Sequence, residues 1–95
     1  MALGLRAGIS DHNTVTVASQ QLATTMVLGV QYMFTSTVAC WINLGSNPTA
    51  VADTDGNHYI AAATPTPLCA DGLATKVAVI RDSVDGKCCL SAMGG

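Results

Sequence analysis

Apolar side chains in this chain recur at every second residue far more often than at every third or fourth. Thr14-Val-Thr-Val-Ala18 is strand-like, with Val15 and Val17 on one face. After Gly29, the residues Val30, Tyr32 and Phe34 alternate with Gln31, Met33 and Thr35. Beyond the polar break Ser36-Thr37, a second set follows: Val38, Cys40, Ile42 and Leu44 on one side, Ala39, Trp41 and Asn43 on the other. This pair of strands reads as a hairpin. Gly45-Ser-Asn-Pro48 ends it, because proline removes a ladder donor while Gly and Asn tolerate turn geometry. Asp53-Thr-Asp-Gly-Asn57 is a second turn cluster. Short strands are expected over 58–62 and 67–69, and Ala70-Asp71-Gly72 is expected to turn into the strand Lys76–Arg81. Asp85-Gly86, a favoured hairpin dipeptide, stands between that strand and Lys87–Met93. Gln20 to Leu28 is the one ambiguous stretch. Leu22 and Met26 sit at helical spacing, but Thr24, Thr25 and Val27 lower helix propensity, so the segment reads as a loop leading into a strand.

Six to eight short strands spaced by turns predict an all-β fold, a small antiparallel β-sandwich or jelly-roll-like barrel. No repeat or linker divides residues 1–95, which read as a single β domain with 1–29 as an N-terminal arm plus the first strand. A chain of 9.7 kDa exposes roughly 5,100 Å² when folded and about 14,000 Å² when extended, enough burial for one modest core.

Composition narrows the function classes. Apolar residues make up 49 % of the chain and charged residues 11 %, so wholesale disorder is excluded. Arg6, Lys76, Arg81 and Lys87 are scattered, and the net charge is −2, the reverse of the basic stripe that nucleic acid requires. The most apolar stretch, 26–34, is far shorter than the about 20 residues of a spanning helix. The N-terminus lacks an apolar run after a positive start, so no signal peptide is read and folding in a cytosol is expected. A mean hydropathy of +0.41 with so few charges points to a surface covered by copies of the chain or by another protein.

Candidate chemistry is sparse. Asp53-Thr-Asp-Gly-Asn57 has its Gly in the wrong place for a calcium loop and the chain contains no Glu, so its Asp and Asn side chains are expected to bond their own backbone. His12 and His58 could join Asp53 or Asp55 around a metal, but no spacing requires convergence, and His12 falls in a polar stretch expected to be mobile. Ser–His–Asp and Cys–His arrangements have the residue types without a local signature. Cys40, Cys69, Cys88 and Cys89 contain no Cys-x-x-Cys and read as small buried hydrophobes, with a Cys40–Cys69 bridge as the alternative. No catalytic, cofactor or metal residue is assigned. Tyr32 and Phe34 are expected in the core. Trp41 alternates against Val38, Cys40 and Ile42 and is the leading candidate for a contact with another subunit, with Met33 and Asn43 as further candidates.

Phe34-Thr-Ser-Thr-Val-Ala-Cys-Trp-Ile-Asn-Leu-Gly-Ser-Asn-Pro-Thr-Ala50, Val51-Ala-Asp-Thr-Asp-Gly56 and Lys76-Val-Ala-Val-Ile-Arg-Asp-Ser83 resemble a group of small virion structural proteins of tailed bacteriophages. The shared pattern is V-x-C-W/F-I-x-L-G-x-N-P-T-A, a polar loop, a lysine strand ending in V-A-V-I and a closing hairpin. It covers roughly residues 30 to 93. Cys88-Cys89 departs from it, where an apolar and then a polar residue are expected. The resemblance implies a β-sandwich subunit on the capsid surface, a decoration or cement protein assembled in the bacterial host cytoplasm, with no catalytic residues. Its implied partners are the major capsid protein and copies of itself, a trimer suiting a threefold junction, with no nucleic acid and no membrane. Residues 1 to 29 would then be an arm that swaps between subunits or lies along the lattice. The alternatives are a head–tail joining or tail accessory protein, a glycan-binding β module using Trp41, and a small-barrel metalloenzyme using His12 and His58.

Overall fold

The computed structural model describes residues 4–70 and 76–94, and the side chains of 10–70 and 76–93. Of the turn expected at Ala70-Asp71-Gly72, Asp71 and Gly72 lie outside the described residues, as does Gly95. Eight strands follow one another along the described chain: β1 (Gly4–Val15), β2 (Gln20–Gln21), β3 (Gln31–Ser36), β4 (Cys40–Gly45), β5 (His58–Ile60), β6 (Thr66–Cys69), β7 (Lys76–Arg81) and β8 (Gly86–Gly94). They form two antiparallel four-stranded sheets, in the orders β1-β8-β3-β6 and β2-β7-β4-β5. The fold is a small β-sandwich.

The alternation read along the sequence is the alternation observed. In β3, Tyr32, Phe34 and Ser36 point into the core while Gln31, Met33 and Thr35 face outward. Cys40 and Ile42 of β4 and Val77 and Val79 of β7 line the facing sheet, against Cys88, Leu90 and Ala92 of β8. Leu22 and Met26 close the core from the segment between β2 and β3, where the chain is neither helix nor strand. That segment is anchored rather than loose: Leu22 N donates to Val77 O, Thr24 N to Asp11 Oδ2, and Val27 N to the Tyr32 hydroxyl. Among the described residues, Ser36 is the one buried polar side chain, and its hydroxyl donates to Val38 O at 2.7 Å.

Two expected hairpins are not hairpins. β3 and β4 belong to different sheets, and so do β7 and β8; the sequence-adjacent strands that do pair are β4 and β5. Extended residues advance about 3.3–3.6 Å each and stacked sheets lie about 10 Å apart, so three or four residues suffice to cross between sheets. Residues 37–39 and 82–85 are such arches, and they run side by side. Thr37 N donates to Lys87 O, Lys87 N to Thr37 Oγ1, and Asp82 N to Ala39 O. Gly86 therefore serves a different purpose from a hairpin turn. Its φ is not in the left-handed region, but a Cβ there would stand 2.6 Å from Thr37 Oγ1 and 2.7–2.8 Å from the Val38 methyls.

The first strand is also displaced from its expected place. β1 runs from Gly4 to Val15 and pairs along β8, with Ser10 opposite Ser91 and His12 opposite Cys89. His12 is thus part of a sheet, not of a mobile tail. The chain leaves the strand after Val15, so Val15 is fully buried while Val17, expected on the same face, is 69 % exposed.

Candidate functional site

The outer face of the β2-β7-β4-β5 sheet divides into two halves. At one end the connection after β4 folds back over the sheet. Asn43 Nδ2 donates to Thr49 O, while Gln21 Nε2 donates to Asn47 Oδ1 and Pro48 O. Ala78 lies between Asn43 and Gln21 in register and is completely buried there, although its place in the alternation is outward. At the other end, Tyr59, Trp41 and Ile80 are direct cross-strand partners on β5, β4 and β7. The Trp41 and Tyr59 rings meet edge to face with centroids 5.2 Å apart, and the Trp41 indole N–H donates to Asp82 Oδ1 at 3.0 Å. This fixes the indole's orientation and leaves Tyr59 51 % exposed. The row is a rigid aromatic patch on the half of the sheet that the loop does not cover.

The three residues considered as contacts are therefore not one patch. Trp41 and Asn43 share this face, but the Asn43 amide is engaged by the loop backbone. Met33 lies on the outer face of the opposite sheet, across β3 from Ser91 and Pro67.

On that second face, β1 and β8 bring together groups 77 residues apart. His12 Nε2 is 3.8 Å from Cys89 Sγ, with Ser10 Oγ 3.5 Å from the same nitrogen and Ser91 Oγ 3.4 Å from the sulfur. A groove of about 310 Å³ adjoins the pair, lined among others by Thr35, Thr37, Ala63 and Lys87. Ala63 takes a left-handed φ of 56° on its wall, and its N–H donates to Ser36 O at 2.8 Å. No spacing rule in the sequence announces this pair, because it arises from the register of two strands at opposite ends of the chain. Chemically it is an imidazole beside a thiol, able to hold a thiophilic ligand or to accept the thiol's proton.

The other expected constellations do not assemble. His58 lies on β5, at the edge of the sheet opposite the one that carries His12, and among the described residues no three of His, Cys, Asp and Glu gather in metal-binding range. The 53–57 loop uses its side chains locally: Asn57 Oδ1 accepts from Val51 N, and Asn57 Nδ2 and Thr54 Oγ1 donate to the carbonyls of Thr54 and Ala52. All four cysteines are free thiols. Cys40 and Cys88 are core hydrophobes, but Cys69 is exposed and Cys89 half-buried, and a buried Cys40 does not meet an exposed Cys69. Burial pushes the Cys88 thiol up to about 12, with the neighbouring Cys40 adding to the effect. Burial also raises Cys40, partly offset by the nearby Ser36 hydroxyl.

Among the described residues no helix is long and apolar enough to cross a membrane. Comparison of the chain with protein-family models, with curated proteins and with solved structures returns no match.

Proposed function

We propose that the protein is a structural subunit of a tailed-phage virion, a capsid decoration or cement protein that packs its Trp41 face onto the shell. The observation that carries this reading is the Tyr59–Trp41–Ile80 row, an outward aromatic patch on a sandwich with only 11 % charged residues. Its supports beyond that are the resemblance of residues 34–56 and 76–83 to small phage virion proteins, and a mean hydropathy that favours covered surface. An aromatic side chain presents about 150–250 Å². Covering the exposed half of Tyr59 removes on the order of 100 Å² from water, about 2–3 kcal/mol per subunit at ~25 cal/mol per Å². Repeated at every capsomer junction, a modest contact of this size reinforces a whole shell. Rigidity suits the task, since an anchor already held by Asp82 loses little conformational entropy on docking.

The test is co-sedimentation of the purified protein with expanded capsids that lack it, comparing the natural chain with Trp41→Ser and Tyr59→Ser. Saturable binding that both substitutions weaken at least tenfold supports the reading. No binding to the shell overturns it and leaves two others: a head–tail or tail accessory subunit, or a glycan-binding module. The latter rests on the same two rings and is recognised by a shift of Trp41 emission with added sugars.

A further inference from the structure

We infer that His12 and Cys89 form half of a tetrahedral zinc site that a second copy of this chain completes, joining two sandwiches through the outer faces of their β1-β8-β3-β6 sheets. Zinc–sulfur and zinc–nitrogen bonds of about 2.3 and 2.0–2.1 Å at the tetrahedral angle separate two ligating atoms by about 3.5–3.6 Å. Cys89 Sγ and His12 Nε2 stand 3.8 Å apart, so a rotation of a few degrees about either side chain closes them on a common ion. A linear two-coordinate arrangement with the same bonds needs about 4.3 Å and fits less well. The two residues are direct partners in the β1–β8 register, so the backbone ladder, not a flexible loop, sets their separation.

The immediate surroundings suit ligation. Ser91 Oγ, 3.4 Å from Cys89 Sγ, can donate to the thiolate that forms when the thiol proton leaves to solvent. Ser10 Oγ is the group that the metal would displace from His12 Nε2.

A second copy supplies the missing ligands. Among the described residues no third His, Cys, Asp or Glu joins the pair, whereas structural zinc takes four ligands. A twofold axis through the ion doubles the set to Cys₂His₂, and a symmetric dimer presents the same patch from both sides. The face allows it: His12 is exposed, and Lys87 is the one charged side chain among its described outward positions, with Ser10, Thr14, Thr35, Met33, Ser91 and Met93 around it. Two thiolates neutralise the ion, and the paired Lys87 residues lie one register step away. The surface is opposite the Trp41 face, so this site stands or falls independently of the capsid contact.

The experiment titrates the purified, reduced, metal-free protein with zinc while light scattering reads its mass, and repeats the titration with cobalt(II) to read coordination from absorption. The expected result is a doubling of mass that saturates at one zinc per two chains, with the sulfur-to-cobalt charge-transfer band and intense visible bands of a tetrahedral thiolate site. Both signals are lost in His12→Gln, a change at an exposed position, and in Cys89→Ser, while Cys69→Ser keeps both. Zinc bound without a change in mass, a pale octahedral cobalt spectrum, or a dimer indifferent to His12→Gln would each overturn the inference.

Discussion

Replacing Gly86 with alanine adds one methyl group at the point where the two inter-sheet arches touch. That methyl would lie 2.6 Å from Thr37 Oγ1 and 2.7 and 2.8 Å from the Val38 methyls, closer than real Cβ contacts allow. Neither neighbour can yield freely. Thr37 is held on β8 by two hydrogen bonds, Thr37 N to Lys87 O at 2.8 Å and Lys87 N to Thr37 Oγ1 at 3.0 Å. Val38 packs against the core and is stiff about χ1. Forcing extra volume into a packed site costs about 1–3 kcal/mol, and loss of one arch hydrogen bond adds about 1 kcal/mol. The expected total is about 2–4 kcal/mol, read as a shift in urea midpoint at constant slope. Each kcal/mol lowers the melting temperature by about 4–8 °C in a domain of this size. Because the φ of Gly86 is not left-handed, the effect is steric, and Val38→Ala should recover part of it in a double-mutant cycle. Gly45→Ala is the control, its new methyl meeting Pro48 at an ordinary 3.7 Å. A Gly86→Ala protein within about 0.5 kcal/mol of the natural chain would rule out a steric clash at the arches, since surface changes fall in that range.

Phe34→Ala empties the largest fully buried side chain among the described residues and should cost about 3–5 kcal/mol by chemical denaturation, against about 0.5–1.5 kcal/mol for Ile42→Val. Cys88 keeps its proton in the fold up to about 12 against an ordinary value of 9.0, so between those limits unfolding releases a proton and stability falls as pH rises. Urea midpoints measured with a chelator present from pH 8 upward should decline more steeply in the natural chain than in Cys88→Ala; equal slopes would contradict the cause assigned. Alkylation under native conditions, followed by mass spectrometry, should label Cys69 and Cys89 well before Cys40 and Cys88. Early labelling of Cys88 would show that the core opens more easily than its packing implies.

What the sequence disclosed, and what it hid, follows from the range of the interactions concerned. Tyr32 and Phe34, Cys40 and Ile42, and Val77 and Val79 announced themselves because a half-buried strand writes its two faces into alternate residues. β1 did not, since Ser10, Asp11, His12 and Asn13 have little intrinsic strand preference and are held extended by the ladder to β8. Sheet membership was hidden for another reason. Asp85-Gly86 has the composition of a tight hairpin, yet its glycine is required by close approach to Thr37 and Val38, a neighbourhood created only when both arches are in place. Trp41 was singled out by its phase in β4, and the fold places it beside Tyr59 and Ile80 on the outer face. The loop that occupies Asn43, and the placement of Met33 on the other sheet, depend on tertiary geometry no phase could reveal. The pairing of His12 with Cys89 is the extreme case, being set entirely by strand register across nearly the full length of the chain.

On the proposal above, this sandwich lies on a shell through its Trp41 face. A density map of phage heads decorated with the purified protein tests it most directly. Density is expected at local threefold capsomer junctions, repeated over the head, with β5, β4 and β7 turned toward the shell and Tyr59 and Trp41 covered. Bare junctions, or density confined to a single vertex or to the tail, would contradict it.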